Sequence, residues 1–118
     1  MKNPSTVKFF LDFITVNGYN QLEGGYLMQH RGKEIKIIYR PLSAFFGGAT
    51  VECDNYYLVV INSTKDESTQ NHVIGHELAH IMLDHFDNGK PIAEAEKEAD
   101  ERATEFYRLY SSNIPVNT

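Results

Sequence analysis

Apolar residues recur at helical spacing near the start of the chain, at alternate positions through its middle, and at helical spacing again towards the end. Val7 to Val16 is an apolar run interrupted by Asp12. It reads as an amphipathic helix opened by Asn3-Pro4 or Ser5 and closed by Gly18. No small-residue cleavage site follows it, so it does not read as an export signal. Tyr26 to His30 and Glu34 to Tyr39 then flank Arg31-Gly32-Lys33 as a hairpin, and Pro41 breaks the second strand. Gly47-Gly48 marks a turn or bulge. Ala49 to Cys53 and Tyr56 to Asn62 form a second hairpin around Asp54-Asn55, and Tyr56 to Ile61 is the most strand-like stretch of the chain. Gln70 to His85 and Glu94 to Tyr110 read as helices, joined by a turn from Asp87 to Ile92 that holds Gly89 and Pro91.

These elements predict an α+β domain over residues 1–110. It has an N-terminal helix, a small antiparallel or mixed sheet and two C-terminal helices, with residues 111–118 as a loose tail. A chain of 118 residues with 42% hydrophobic content suits one core. A net charge of −5 argues against nucleic acid as a direct ligand and suits a basic protein partner. The single Cys53 excludes an internal disulfide and points to a reducing cytoplasm. No run approaches the roughly 20 apolar residues of a membrane span.

Within the first C-terminal helix stands His76-Glu77-Leu78-Ala79-His80, the pattern His-Glu-x-x-His. Histidines at i and i+4 lie one above the other on a helical face, so their rings can converge on one metal ion without bending the backbone. Zinc favours such nitrogen ligands, although imidazole and carboxylate donors also serve manganese and iron. Glu77, at the edge of that face, can take a proton from the attacking water. An ordinary solvated helix would be polar around the histidines. Here Val73, Ala79 and Leu83 surround them, while Ile74, Leu78, Ile81 and Met82 line the opposite side. The helix is therefore expected to be buried, and buried imidazoles need partners.

A third ligand has to come from elsewhere in the chain. His85 lies about 180° from His76 while the helix continues, and the longer pattern HExxHxxGxxH fails at Leu83 and Phe86. On the second helix, Glu96 and Asp100 share a face with Ala99, Ala103, Phe106, Tyr107 and Tyr110, whereas Lys97, Glu98, Glu101, Glu105 and Arg108 face solvent. An inward carboxylate calls for a partner or a metal. Glu96 is therefore assigned as the third ligand and Asp100 as the acceptor for the other N–H of a ligand imidazole. Glu98 and His85 remain alternatives for the third position. His72, one turn before His76, and Tyr107, one turn beyond Ala103, are candidate donors to an oxyanion.

The run GHELAH followed by E-x-E-A-D (Glu96 to Asp100) resembles the gluzincin arrangement, HExxH plus E-x-x-x-D, and within it the ImmA/IrrE family of small bacterial and phage metallopeptidases. The resemblance spans Tyr56 to Tyr107 and departs from the family at Arg102, where an aromatic residue is usual. It implies zinc held by His76, His80 and Glu96, with Glu77 as catalytic base in a minimal zincin. It also implies a preceding edge strand that holds an extended substrate, for which Tyr56–Asn62 is the expected strand. The implied activity is cleavage of a regulatory protein, typically a helix-turn-helix repressor of phage, mobile-element or stress genes. Two other classes compete with this reading. One is a metal-binding regulator that docks to its partner without cutting it. The other is an interaction protein in which HELAH is accidental and no stoichiometric metal binds.

Overall fold

The computed structural model describes residues 28–116. The expected N-terminal helix and the start of the first strand, Tyr26, lie outside the described residues. Four strands and three α-helices follow: β1 (Met28–His30), β2 (Lys33–Arg40), β3 (Gly48–Glu52), β4 (Tyr56–Asn62), α1 (Glu67–Met82), α2 (Ile92–Glu101) and α3 (Ala103–Tyr110). The architecture is α+β, as expected.

The sheet has the order β1-β2-β4-β3 and is mixed. β1 and β2 form the first hairpin, turning at Arg31 and Gly32, both at positive φ. β3 and β4 form the second, closed by the Cys53 N–H to Tyr56 carbonyl bond at 2.8 Å. Between the hairpins the chain crosses over, so β2 and β4 pair in parallel, with Ile37 opposite Val59. This arrangement corrects one expectation. Tyr56–Asn62 is not an edge strand; it is paired on both sides, and β3 is the outer strand next to it. The reason lies in its composition. Tyr57 to Asn62 is buried at every position, and a strand buried on both faces belongs in the middle of a sheet.

One face of the sheet, with Ile35, Ile37, Val59 and Ile61, packs against Ile74, Leu78 and Ile81 of α1 and Phe106 of α3. Ile38, Val51, Leu58 and Val60 form a second cluster on the other face. Helix α1 starts where Asp66 accepts a bond from the Thr69 N–H at 3.1 Å, with Glu67 in the first turn beside the positive end of the helix dipole. Its burial on both sides matches the apolar wheel: Leu78, Ala79 and Ile81 are fully buried.

Asn62 ties the strands to this helix. Its side chain is inaccessible; the amide donates to the carbonyls of Leu42, Ser43 and Phe46, and Oδ1 accepts from the N–H groups of Leu42 and Thr64. One residue thus anchors both the loop that leads into β3 and the loop that leads into α1.

Three further expectations change. The helix read as Gln70 to His85 begins three residues earlier and ends at Met82. Asp84, at φ 60, turns the chain back. The helix read as Glu94 to Tyr110 is two helices, broken at Arg102, whose backbone leaves the helical region at φ −102 and ψ 6. The loose tail is anchored at its start. Ser111–Asn113 form a 3-10 turn, Ile114 packs on the core, and the Pro115 carbonyl accepts from the Tyr39 hydroxyl at 2.8 Å.

Candidate metal centre

Helix α1 presents His76 and His80 on one face, and α2 crosses that face at Glu96. The two Nε2 atoms lie 3.1 Å apart. His76 Nε2 is 3.0 Å from Glu96 Oε1, and His80 Nε2 is 3.0 Å from Glu96 Oε2. These side chains form one of two described groups whose donor atoms converge closely enough for a cation. Zinc held tetrahedrally by nitrogen and oxygen at 2.0–2.1 Å would place neighbouring donors about 3.3 Å apart. The two Nε2 atoms, 3.1 Å apart, come within a few tenths of an ångström of that value, and each meets a different Glu96 oxygen at 3.0 Å, so the donor set is compatible with a cation in chemistry and convergence.

The other group is His72, His76 and Asp100. Asp100 lies 3.6 Å from His76 Nδ1, on the side of that ring away from Glu96, and its closer contact is His72 Nε2 at 2.8 Å. Glu96 and Asp100 were expected to point inward; the Glu96 side chain is half exposed, that of Asp100 is mostly exposed, and both open onto a cleft. The cleft has a volume of about 400 Å³ and runs between Gly47–Thr50 at the sheet edge, α1 and α2. His72, His76, Glu77, His80, Glu96 and Asp100 all line it. Tyr107 does not. It packs behind α1, where Gly75 lets α3 approach closely.

The base candidate Glu77 is buried, and its Oε1 accepts a 2.6 Å bond from the Thr50 hydroxyl of β3. The sequence contains no sign of this partner, because only the strand register shows that Thr50 faces α1. Gly48, two residues earlier, is fixed by close approach: a Cβ there would strike the Val60 carbonyl and Val73.

His85 and Glu98 are placed differently from expectation. His85 Nδ1 lies 2.9 Å from His80 Nδ1, and its Nε2 lies 2.7 Å from Glu98 Oε1. Both ring nitrogens are thus engaged outside the convergent donor set. Glu98 is not a solvated helix acid. It is half-buried against His85 and Lys90, which hold its carboxyl below the ordinary range. The wheel failed for both because α1 stops at Met82 and the reversal at Asp84 brings His85 beneath α2.

The family model for the IrrE N-terminal-like domain, a peptidase family, matches residues 31–107. The chain belongs to this family. No curated protein and no solved structure matches it. Membership of the IrrE N-terminal-like family brings a peptidase role and a protein or peptide substrate, and the convergent histidine and carboxylate groups are compatible with a metal. Among the described residues, no helix is long and apolar enough to cross a membrane.

The charges at this site set its pH behaviour. Burial lowers the His76 pKa, but the bond to Glu96 and the charges of Glu77, Glu96 and Asp100 outweigh it, and the ring titrates above its ordinary 6.5. Contacts first with His76 and then with His80 hold the Glu96 carboxyl far below its ordinary 4.5, against partial burial. For the metal-free chain, the His76 contribution to stability is complete below about pH 6.5 and fades as pH rises through the raised pKa. The Glu96 contribution is complete above about pH 4.5 and fades as pH falls through the depressed one. Stability from this cluster should peak between those two values. Zinc affinity should rise with pH above them, because a proton must leave His76 before Nε2 can bind. Thermal unfolding with and without zinc across that range checks both. If the metal-free stability due to the cluster, taken as the difference from Glu96→Gln, climbs steadily through neutrality, the assignment is wrong.

Proposed function

We propose that this chain is a zinc-dependent endopeptidase acting on a regulatory protein, with a helix-turn-helix repressor of phage or mobile-element genes as the first candidate. One observation carries the reading: two imidazoles and a carboxylate converge within reach of one cation beside a buried carboxylate, Glu77, in an open cleft. His76, His80 and Glu96 would hold zinc, and zinc there supplies a Lewis acid that polarises a scissile carbonyl. Glu77 takes a proton from the attacking water and delivers it to the departing nitrogen. With Oε1 held by Thr50, Oε2 is the atom that receives it. Asp100 orients the His76 ring from its Nδ1 side. His72, on the cleft wall, keeps a place as an oxyanion donor, whereas Tyr107 does not line the cleft. An extended peptide pairs along β3, whose outer edge is open among the described residues. The net charge of −5 favours a basic partner, which suits a DNA-binding repressor.

His80→Ala and Glu96→Ala each remove one of three donors. Each should lower zinc affinity by roughly 100-fold or more and abolish cleavage of a repressor encoded beside this gene. Elemental analysis of the purified chain and mass spectrometry of the incubated repressor read the two effects. A parent chain that takes up no zinc would end the proposal. So would a zinc-loaded chain whose repressor fragments persist in the His80→Ala sample.

A further inference from the structure

We propose that His85, backed by Glu98, is a positioning residue that fixes the ring of His80 with its Nε2 lone pair facing the cation. This rests on the reading of His76, His80 and Glu96 as a zinc site.

The geometry begins at the end of α1. The Asp84 N–H bonds the Ile81 carbonyl at 3.0 Å, and the His85 N–H bonds the His80 carbonyl at 3.0 Å. With Asp84 at φ 60, this is a Schellman closure, in which the residue after the left-handed one packs its side chain against the side chain five positions back. That contact is commonly apolar; here it is imidazole on imidazole. Aspartate tolerates the left-handed conformation better than most residues. This one is also held by His30 at 2.7 Å and Arg31 at 2.9 Å from the β1–β2 turn. The reversal is therefore anchored from the sheet.

The direction of the hydrogen bonds follows from their far end. Glu98 can only accept when ionised, so His85 carries its hydrogen on Nε2 and donates to Oε1 at 2.7 Å. In the neutral ring Nδ1 is then a bare lone pair, to which His80 donates from Nδ1 at 2.9 Å. A His80 hydrogen thus sits on Nδ1, and Nε2, which faces Glu96 Oε2 at 3.0 Å in the metal-free chain, is the nitrogen left to bind a cation. The opposite arrangement would set a His85 lone pair against the Glu98 carboxylate and place a hydrogen on His80 Nε2, where no cation could bind. Lys90, 3.2 Å from Glu98 Oε1, holds the carboxylate in its charged form. The His85 side chain is 3% exposed, so water does not offer a substitute acceptor.

A merely structural His85 would fill space beside Phe86 and nothing more. The test uses the full chain, zinc affinity by chelator competition, the visible spectrum of the cobalt(II)-substituted protein, and unfolding of the metal-free form. His85→Leu should weaken zinc by 10- to 100-fold and alter the cobalt bands, with metal-free unfolding close to that of the parent. His85→Asn retains an acceptor oxygen near the Nδ1 position and should recover most of the loss. Glu98→Ala, a good helix former at that position, should weaken zinc by about tenfold. Unchanged affinity in Glu98→Ala and His85→Leu would overturn the proposal while leaving the zinc site standing. Equal losses in Leu and Asn, tracking metal-free stability, would reduce His85 to packing. A parent that binds no zinc would remove both readings.

Discussion

Glu77→Gln should bind zinc as tightly as the parent and cut at least about 100-fold more slowly, with losses up to about 10,000-fold in the range for a general base. The two halves of this expectation have separate origins. The amide has nearly the shape of the carboxylate, and its oxygen can still accept from the Thr50 hydroxyl, so the side chain stays in place. Glu77 is not one of the three donors that converge, so metal content should not change. What disappears is the capacity to accept a proton. Side-by-side zinc analysis and cleavage rates give the answer. A Gln variant that cleaves like the parent would remove Glu77 from the mechanism. A parent that binds a repressor tightly and never cuts it, with the variant binding equally well, would favour a docking protein over an enzyme.

Gly75→Ala should unfold the protein or come close to it. Taken alone, the substitution favours a helix by about 1 kcal/mol. Helix α1, however, meets α3 at this residue. A Cβ on Gly75 would run into the carbonyl of Ala103 and reach Tyr107 Cβ at 3.1 Å. The obstacle is backbone, which cannot rotate aside as a side chain can. Overpacking a core usually costs 1–3 kcal/mol, and a backbone collision belongs at or beyond the top of that range. Against a total stability of about 5–15 kcal/mol for a domain, a net loss of roughly 3 kcal/mol or more leaves little margin. Because α1 also carries His76, zinc affinity should fall in parallel. Urea unfolding of the purified variant measures the loss, and a midpoint equal to or above that of the parent would show that the two helices can separate cheaply.

Much of the fold was legible because its elements have strong internal periods. Tyr56–Asn62 was read to the residue, and the wheel of α1 correctly put Ile74, Leu78 and Ile81 in the core. The convergence of His76, His80 and Glu96 could be anticipated because i, i+4 spacing is local geometry and only one further acid had to be found. Relations set by chain reversals and by strand order were not legible. No glycine stands at the end of α1, so nothing marked Asp84 as the point where the helix closes, and extrapolating the wheel past it sent His85 to the wrong side. Thr50 and Asn62 are unremarkable polar residues until the crossover between the hairpins puts β3 outside β4. Glu98 looked like one more surface acid on a charged helix, because its partner was believed to point elsewhere.

The pairing of β3 with β4 has a consequence for how damage could reach the reaction. Successive side chains on a strand point to opposite faces, so sliding β3 by a single residue would invert all of them. Ala49 or Val51 would then meet Glu77 in place of a hydroxyl. An inserted residue at Asp54-Asn55, far in sequence from either histidine, could thus silence the protein while leaving His76, His80 and Glu96 in place.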